Sequence, residues 1–147
     1  MTVISKGLKG YIGIGFSTRT VNLERLPGWD PESYGYHGDD GKAFSCSGTG
    51  STYGPKFGKD DVVGCGIDFA QRQAFFTKNG TWLGSTFDLN HAQAKSKDGE
   101  MLKFYPSVGL QTAGEQVKIN FGQEPFKWDV EGFVKVRSKR GFVFMSC

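Results

Sequence analysis

Apolar and polar residues alternate with a period of two along most of this chain. Val117, Ile119 and Phe121 alternate with Lys118 and Asn120, the pattern of a strand with one buried and one solvated face. Across residues 61–69, one face carries Val63, Cys65, Ile67 and Phe69, and the other carries Val62, Gly64, Gly66 and Asp68. The glycines leave room for another element to pack closely on that second face. Downstream, Ala74-Phe75-Phe76-Thr77-Lys78 and Thr81-Trp82-Leu83 flank Asn79-Gly80. Asn-Gly accepts the two positive φ angles of a type I′ turn, so this segment is predicted to be a hairpin. Further strands are predicted at residues 10–17, 42–46, 102–110, 115–121 and 142–145, at spacings typical of antiparallel sandwiches. Helix is scarce. Of the two long connections, residues 18–33 and 88–99, the first draws attention because loops of such length are uncommon unless functional. The second contains the polar run 91–98 and is expected to hold at most a single helical turn.

Composition adds limits to this picture. The 147 residues suffice for one domain,. The 22 glycines are about twice average usage, while an aromatic content of 14% implies a packed core,. No apolar run approaches the ~18 residues that span a bilayer, and residues 1–16 lack the order of a secretory signal, so no membrane association is expected. Eighteen basic against 15 acidic residues leave +3, which is not a nucleic-acid signature. Lys135, Arg137, Lys139 and Arg140 concentrate the surplus near the C-terminus. Cys46, Cys65 and Cys147 have no metal spacing, and an odd number fits a reducing compartment, which suggests cytoplasm or nucleus,.

Candidate chemistry narrows on inspection. Gly13-Ile14-Gly15-Phe16-Ser17-Thr18 lacks the third glycine of a dinucleotide fingerprint, and Gly58-Lys59 lacks the phosphate-loop context,. His37, Asp39 and Asp40 are too few for a metal, and the glycines around them favour a tight turn with aspartates bonding local amides,. Cys65 on an apolar face reads as a core thiol. Arg140-Gly141-Phe142-Val143-Phe144 places valine where RNA-recognition strands need a small residue,. No cofactor, no metal and no catalysis are expected.

The segments Gly10-Tyr11-Ile12-Gly13-Ile14-Gly15-Phe16-Ser17, Leu26-Pro27-Gly28-Trp29-Asp30 and Ser33-Tyr34-Gly35-Tyr36-His37-Gly38-Asp39-Asp40-Gly41 occur in order. With Tyr105-Pro106-Ser107-Val108-Gly109-Leu110-Gln111-Thr112 and Asn120-Phe121-Gly122-Gln123-Glu124-Pro125-Phe126, they resemble a SPRY domain over residues 1–128. The Tyr-Gly-Tyr-His-Gly-Asp-Asp-Gly string resembles the RanBPM-like branch, the Ran-binding-protein-like scaffolds of the GID/CTLH ubiquitin ligase. The resemblance implies an all-β fold, a bent antiparallel β-sandwich of the B30.2-like, concanavalin-like kind. It also implies a non-catalytic module whose loops at one end bind short peptide segments of partner proteins. A carbohydrate-binding sandwich and an independent SPRY adaptor unrelated to ubiquitin ligation are the alternatives.

Carried over by that resemblance, the peptide-binding positions are Leu23, Arg25, Leu26, Trp29, Tyr36, Phe44, Gln111, Thr112 and Ala113. Arg25 suits the role because its guanidinium can pair with a peptide carboxylate or carbonyl while its stem packs. Trp29 could equally plug its own loop, Phe44 could face the core, and Tyr34 is the interior counterpart of Tyr36. Against the family pattern, Met1-Thr2-Val3-Ile4 reads as the tail of a truncated strand, and residues 129–147 read as a basic and apolar C-terminal tail. Its run Phe142-Val143-Phe144-Met145 is expected to supply the missing strand, within the chain or by exchange in a homodimer.

Overall fold

The computed structural model describes residues 1–90, 102–138, 145 and 146. Its strands are β1 (Thr2–Lys6), β2 (Ile12–Ser17), β3 (Ser33–His37), β4 (Lys42–Ser45), β5 (Ser51–Thr52), β6 (Val63–Asp68), β7 (Gln73–Lys78), β8 (Thr81–Asp88), β9 (Tyr105–Leu110), β10 (Glu115–Lys118) and β11 (Met145–Ser146). Among the described residues one helix, α1 (Val130–Ser138), precedes the last strand. The run 91–98 and the residues 142–144 of the C-terminal apolar run lie outside the described residues.

All strand pairs are antiparallel. One sheet runs β5-β4-β3-β2-β9, a second runs β11-β6-β7-β8, and β1 pairs with β10. The two larger sheets face each other as a bent β-sandwich around Ile12, Ile14, Phe16, Tyr34, Tyr36, Val63, Ile67, Ala74, Phe76 and Phe87. Period two explains this layer, because residues two apart share a face. It also corrects the reading of Tyr36: once Tyr34 points inward, Tyr36 must follow, and it is 0% exposed.

The Asn79-Gly80 turn has φ of 51° and 85°, as a type I′ turn requires, and joins β7 to β8 in the anticipated hairpin. On the outer face of β6, a side chain at Gly66 would run into the Phe75 ring. Phe75 in turn packs on Trp128 and Phe133, with ring centroids 5.3 and 5.6 Å away. The element lying over that face is the segment leading into α1.

That helix lies in a stretch read from the sequence only as a basic and apolar tail, ahead of the run 142–145 where a strand is expected. Asp129 caps it, its Oδ1 accepting the Gly132 amide at 2.8 Å, which satisfies one of the amides a helix start leaves open. Phe133 then turns back onto Trp128, 4.8 Å between centroids. Valines at 130, 134 and 136 and the glycine at 132 conceal the helix, because they are weak helix formers,. Beyond it, Met145 and Ser146 pair with Ile67 and Gly66 of the same chain.

Candidate functional site

The β2–β3 connection folds back over the outer face of the five-stranded sheet, where the sequence reading had it project from one end. Glycine makes this possible. Gly15 pairs with Gly35 and Gly13 with Gly109, so neighbouring strands present a floor without side chains. Leu26-Pro27-Gly28 lies directly on it. A Cβ at Gly109 would sit 2.6 Å from Leu26 Cδ2 and 2.7 Å from Pro27 Cδ, and one at Gly35 would collide with the Pro27 carbonyl. Gly28 itself has φ of 95°, and a side chain there would reach 2.6 Å from Phe44 Cβ.

Polar contacts fix the loop in this position. The Gly28 amide donates to Ser33 Oγ at 2.6 Å, and the Ser47 amide donates to the Gly28 carbonyl at 3.0 Å. His37 Nε2 lies 2.8 Å from the Pro27 carbonyl oxygen. The His37 ring stacks on Phe44, centroids 4.1 Å apart, and the Trp29 ring leans on both, 5.7 Å from His37 and 6.3 Å from Phe44. Burial lowers the His37 pKa, opposed by the Pro27 hydrogen bond and by Asp39 and Asp40. Asp40 accepts the Lys42 amide at 2.9 Å, a local turn contact.

Outside this anchored stretch, the loop presents side chains to solvent. Leu23 is 88% exposed. Arg25 Nε pairs with Asp30 Oδ1 at 3.2 Å, its NH2 donates to the Trp29 carbonyl at 3.4 Å, and its guanidinium lies 6.0 Å from the Trp29 ring centre. Asp30 also accepts the Asn22 amide at 3.2 Å. Arg25 is thus held above Trp29 with an exposed cationic head.

The second group, Gln111-Thr112-Ala113, is shaped by Glu115. That buried carboxylate accepts the amides of Tyr11 at 2.7 Å, Gln111 at 2.6 Å and Thr112 at 2.9 Å, and the Thr112 hydroxyl as well. Gln111 and Ala113 stay exposed and Thr112 is half-buried. Because Leu26 rests on Gly109, two residues before Gln111, the loop and this turn adjoin along the β9 side of the sheet.

The nine carried-over positions therefore separate. Leu23, Arg25, Gln111, Thr112 and Ala113 reach solvent, and half-buried Trp29 supports Arg25. Leu26, Tyr36 and Phe44 are buried, at 6%, 0% and 5% exposure. Tyr36 donates its hydroxyl to the Pro55 carbonyl inside the core, Phe44 stacks under His37 on the outer face rather than joining Cys46 in the core, and Leu26 is the loop's foot on the sheet. The sequence reading missed His37, Asp30 and Glu115, which position the surface. The one sequence signal for Glu115 is an acid at the start of an otherwise half-apolar strand.

Comparison with known proteins agrees with this geometry. Residues 2–124 match the SPRY domain family. The chain belongs to that family, and within it to the RanBPM-like branch. It is 54% identical over 128 residues to the Ran-binding proteins 9/10 homolog of Drosophila melanogaster, covering 86% of this chain and 12% of that protein. Identity to human Ran-binding protein 9 is 50% over 134 residues, covering 90% and 17%. The Arabidopsis thaliana Ran-binding protein M homolog is 41% identical over 131 residues, covering 89% and 26%. The chain thus spans between about an eighth and a quarter of these relatives. Among solved structures, a human SPRY domain superposes with a TM-score of 0.65 at 35% identity, covering 78% of this chain and 69% of that one. The SPRY domain of human HERC1 shares the fold, with a TM-score of 0.58 at 17% identity over 78% of this chain and 65% of that one. SPRY domains are protein-interaction modules.

Proposed function

We propose that this chain is a non-catalytic module that binds a short peptide segment of a partner protein across Leu23, Arg25, Trp29 and the Gln111–Ala113 turn. One observation carries the reading: the long loop is pinned to a glycine floor at Leu26-Pro27-Gly28, with Leu26 on Gly109 two residues before the turn, yet leaves Leu23 and the Arg25 head in solvent. A surface built this way is preformed, so a docking peptide orders little of it. The leucine offers an apolar contact, and the guanidinium pairs with a peptide carboxylate or carbonyl. The chain's likeness to Ran-binding proteins supports a further assignment, as the partner-recognition part of a ubiquitin-ligase scaffold working in cytoplasm or nucleus.

Panning a displayed peptide library on the folded chain tests the binding reading. Enriched peptides are expected to share a motif and to lose about fivefold or more in affinity on Arg25→Ala, equivalent to ~1 kcal/mol. Leu23→Asp provides a second test that disturbs no internal contact. Absence of enrichment, or affinity equal to the parent's in both variants, overturns the assignment.

A further inference from the structure

Asn79-Gly80 is the one Asn-Gly pair in the sequence, and Asn79 stands exposed at the turn between β7 and β8. Asparagine followed by glycine is prone to lose ammonia spontaneously, because glycine has no side chain to shield its amide nitrogen from the neighbouring side chain. The Gly80 nitrogen gives up its proton and attacks Asn79 Cγ. The bond from Cγ to Nδ2 breaks, and Nδ2 takes up a proton and leaves as ammonia. Water then opens the five-membered succinimide at one carbonyl to give aspartate, or at the other to give isoaspartate. The sum consumes water and releases ammonia, with nothing oxidised or reduced.

The fold cannot avoid the pair by replacing its glycine. Gly80 has φ of 85°, and a Cβ there would sit 2.9 Å from the Lys127 carbonyl oxygen. The asparagine side chain is instead held at both ends. The Val62 amide donates to Asn79 Oδ1 at 2.8 Å, and Asn79 Nδ2 donates to Asp61 Oδ1 at 2.7 Å. The Asn79 amide also donates to the Val62 carbonyl at 2.7 Å. Ring closure requires the side-chain amide to rotate until Cγ faces the Gly80 nitrogen, and both side-chain bonds oppose that rotation.

Asp61 is itself fixed. Its Oδ2 accepts the Gly58 amide at 2.9 Å and pairs with Lys78 Nζ at 3.3 Å. Burial acts to raise the Asp61 pKa, but Gly58, Asn79 and Lys78 outweigh it and hold the carboxyl below its ordinary value. The group therefore stays an ionised acceptor for Asn79 Nδ2.

We infer that Asn79 is a latent modification site, closed to deamidation while Asp61 and Val62 hold its side chain and reactive whenever the turn lifts away from them. Conversion is one-way. Aspartate sets a second carboxylate against Asp61 where an amide donor stood. Isoaspartate adds a backbone methylene to a two-residue turn closed by the Lys78 and Thr81 pair,. Either product keeps the contacts from reforming, so the modified hairpin is released from the entry to β6.

Peptide mapping by mass spectrometry, after incubation in mildly alkaline buffer, follows residue 79 directly, and isoaspartyl methyltransferase labelling identifies the isoaspartate product. The folded parent is expected to react about tenfold or more slowly than the same chain unfolded in urea. Asp61→Ala removes the Nδ2 acceptor, and Asp61→Asn leaves one acceptor oxygen where there were two. Each variant is expected to react about threefold or more faster than the folded parent, with exchange protection at the Phe76 amide showing that the fold is intact. Should the alanine variant unfold, the asparagine variant, which keeps the shape of the side chain, carries the comparison. A folded parent that reacts as fast as the unfolded chain overturns the inference, and so does a folded Asp61 variant that reacts at the parent's rate. None of these readouts involves a bound peptide, so they stand apart from the proposed function.

Discussion

His37 hydrogen-bonds Pro27 across the sheet surface, its Nε2 lying 2.8 Å from the proline carbonyl oxygen. A carbonyl only accepts, so Nε2 carries a proton, and because burial disfavours the charged ring the neutral form is the Nε2–H tautomer,. This bond ties the loop that presents Leu23 and Arg25 to the strand that follows it.

The pH dependence follows from burial. Desolvation holds the His37 pKa below the ordinary 6.5 despite the opposing pull of Pro27, Asp39 and Asp40. As pH falls through 6.5 the unfolded chain takes up a proton that the folded chain resists, so stability is lost between that pH and the lower folded-state value. Above 6.5 His37 contributes no pH dependence. His37→Gln does not titrate in this range and can still donate to Pro27. Urea unfolding at pH 7.5 and 5.0 should show a larger loss for the parent than for the glutamine variant, and parallel losses would contradict the assignment.

Gly35 and Gly109 support the same tripeptide but differ in what a methyl group would meet. At Gly35 the obstacle is Pro27 backbone, which moves only with the loop, whereas at Gly109 the first atom met is the end of the Leu26 side chain. Gly35→Ala is therefore expected to cost about 2–3 kcal/mol, and Gly109→Ala about 1 kcal/mol. Chemical denaturation gives both values. The reverse order would mean that the loop is not seated as described.

Glu115 is the organiser of the turn, accepting the amides of Tyr11, Gln111 and Thr112 and the Thr112 hydroxyl. Replacing it with glutamine turns one acceptor into a donor facing N–H or O–H groups. A loss of about 1.5–3 kcal/mol is expected, as for buried hydrogen bonds to a charged group, with amide shifts confined to the turn and to Tyr11. Wild-type stability in Glu115→Gln would exclude this role.

How far the sequence discloses this architecture depends on the range of the forces involved. The Asn79-Gly80 hairpin and the alternation in β6 are local and were legible. For β3, alternation says which residues share a face but not that both faces are covered, and here all five residues from Ser33 to His37 are buried. The outer cover is the loop itself, a long-range packing event, which is why Phe44 resembles a surface aromatic in the sequence and is buried in the fold, whereas Tyr36 is buried on the inner face with Tyr34. His37 reads as part of an Asp-rich turn because its partner, Pro27, lies in another segment.

Helix α1 is the other element the sequence hides, and its dependence on distant contacts makes the final prediction. Asp129 supplies a local cap, but the helix face is held by Phe133 against Trp128, Phe75 and Trp82, at 4.8, 5.6 and 6.2 Å between centroids. Packing rather than propensity then governs its stability. Asp129→Ala should cost about 1 kcal/mol, as cap removals do. Phe133→Ala should cost more, about 2–3 kcal/mol, because the aromatic cluster loses its central ring while the site half-buries and partly relaxes. Circular dichroism at 222 nm should fall in Phe133→Ala and change little in Asp129→Ala, with the loop amides around Leu26 unmoved in both. Equal losses in the two variants would mean that the cap, not the aromatic cluster, holds the helix to β6 and β7.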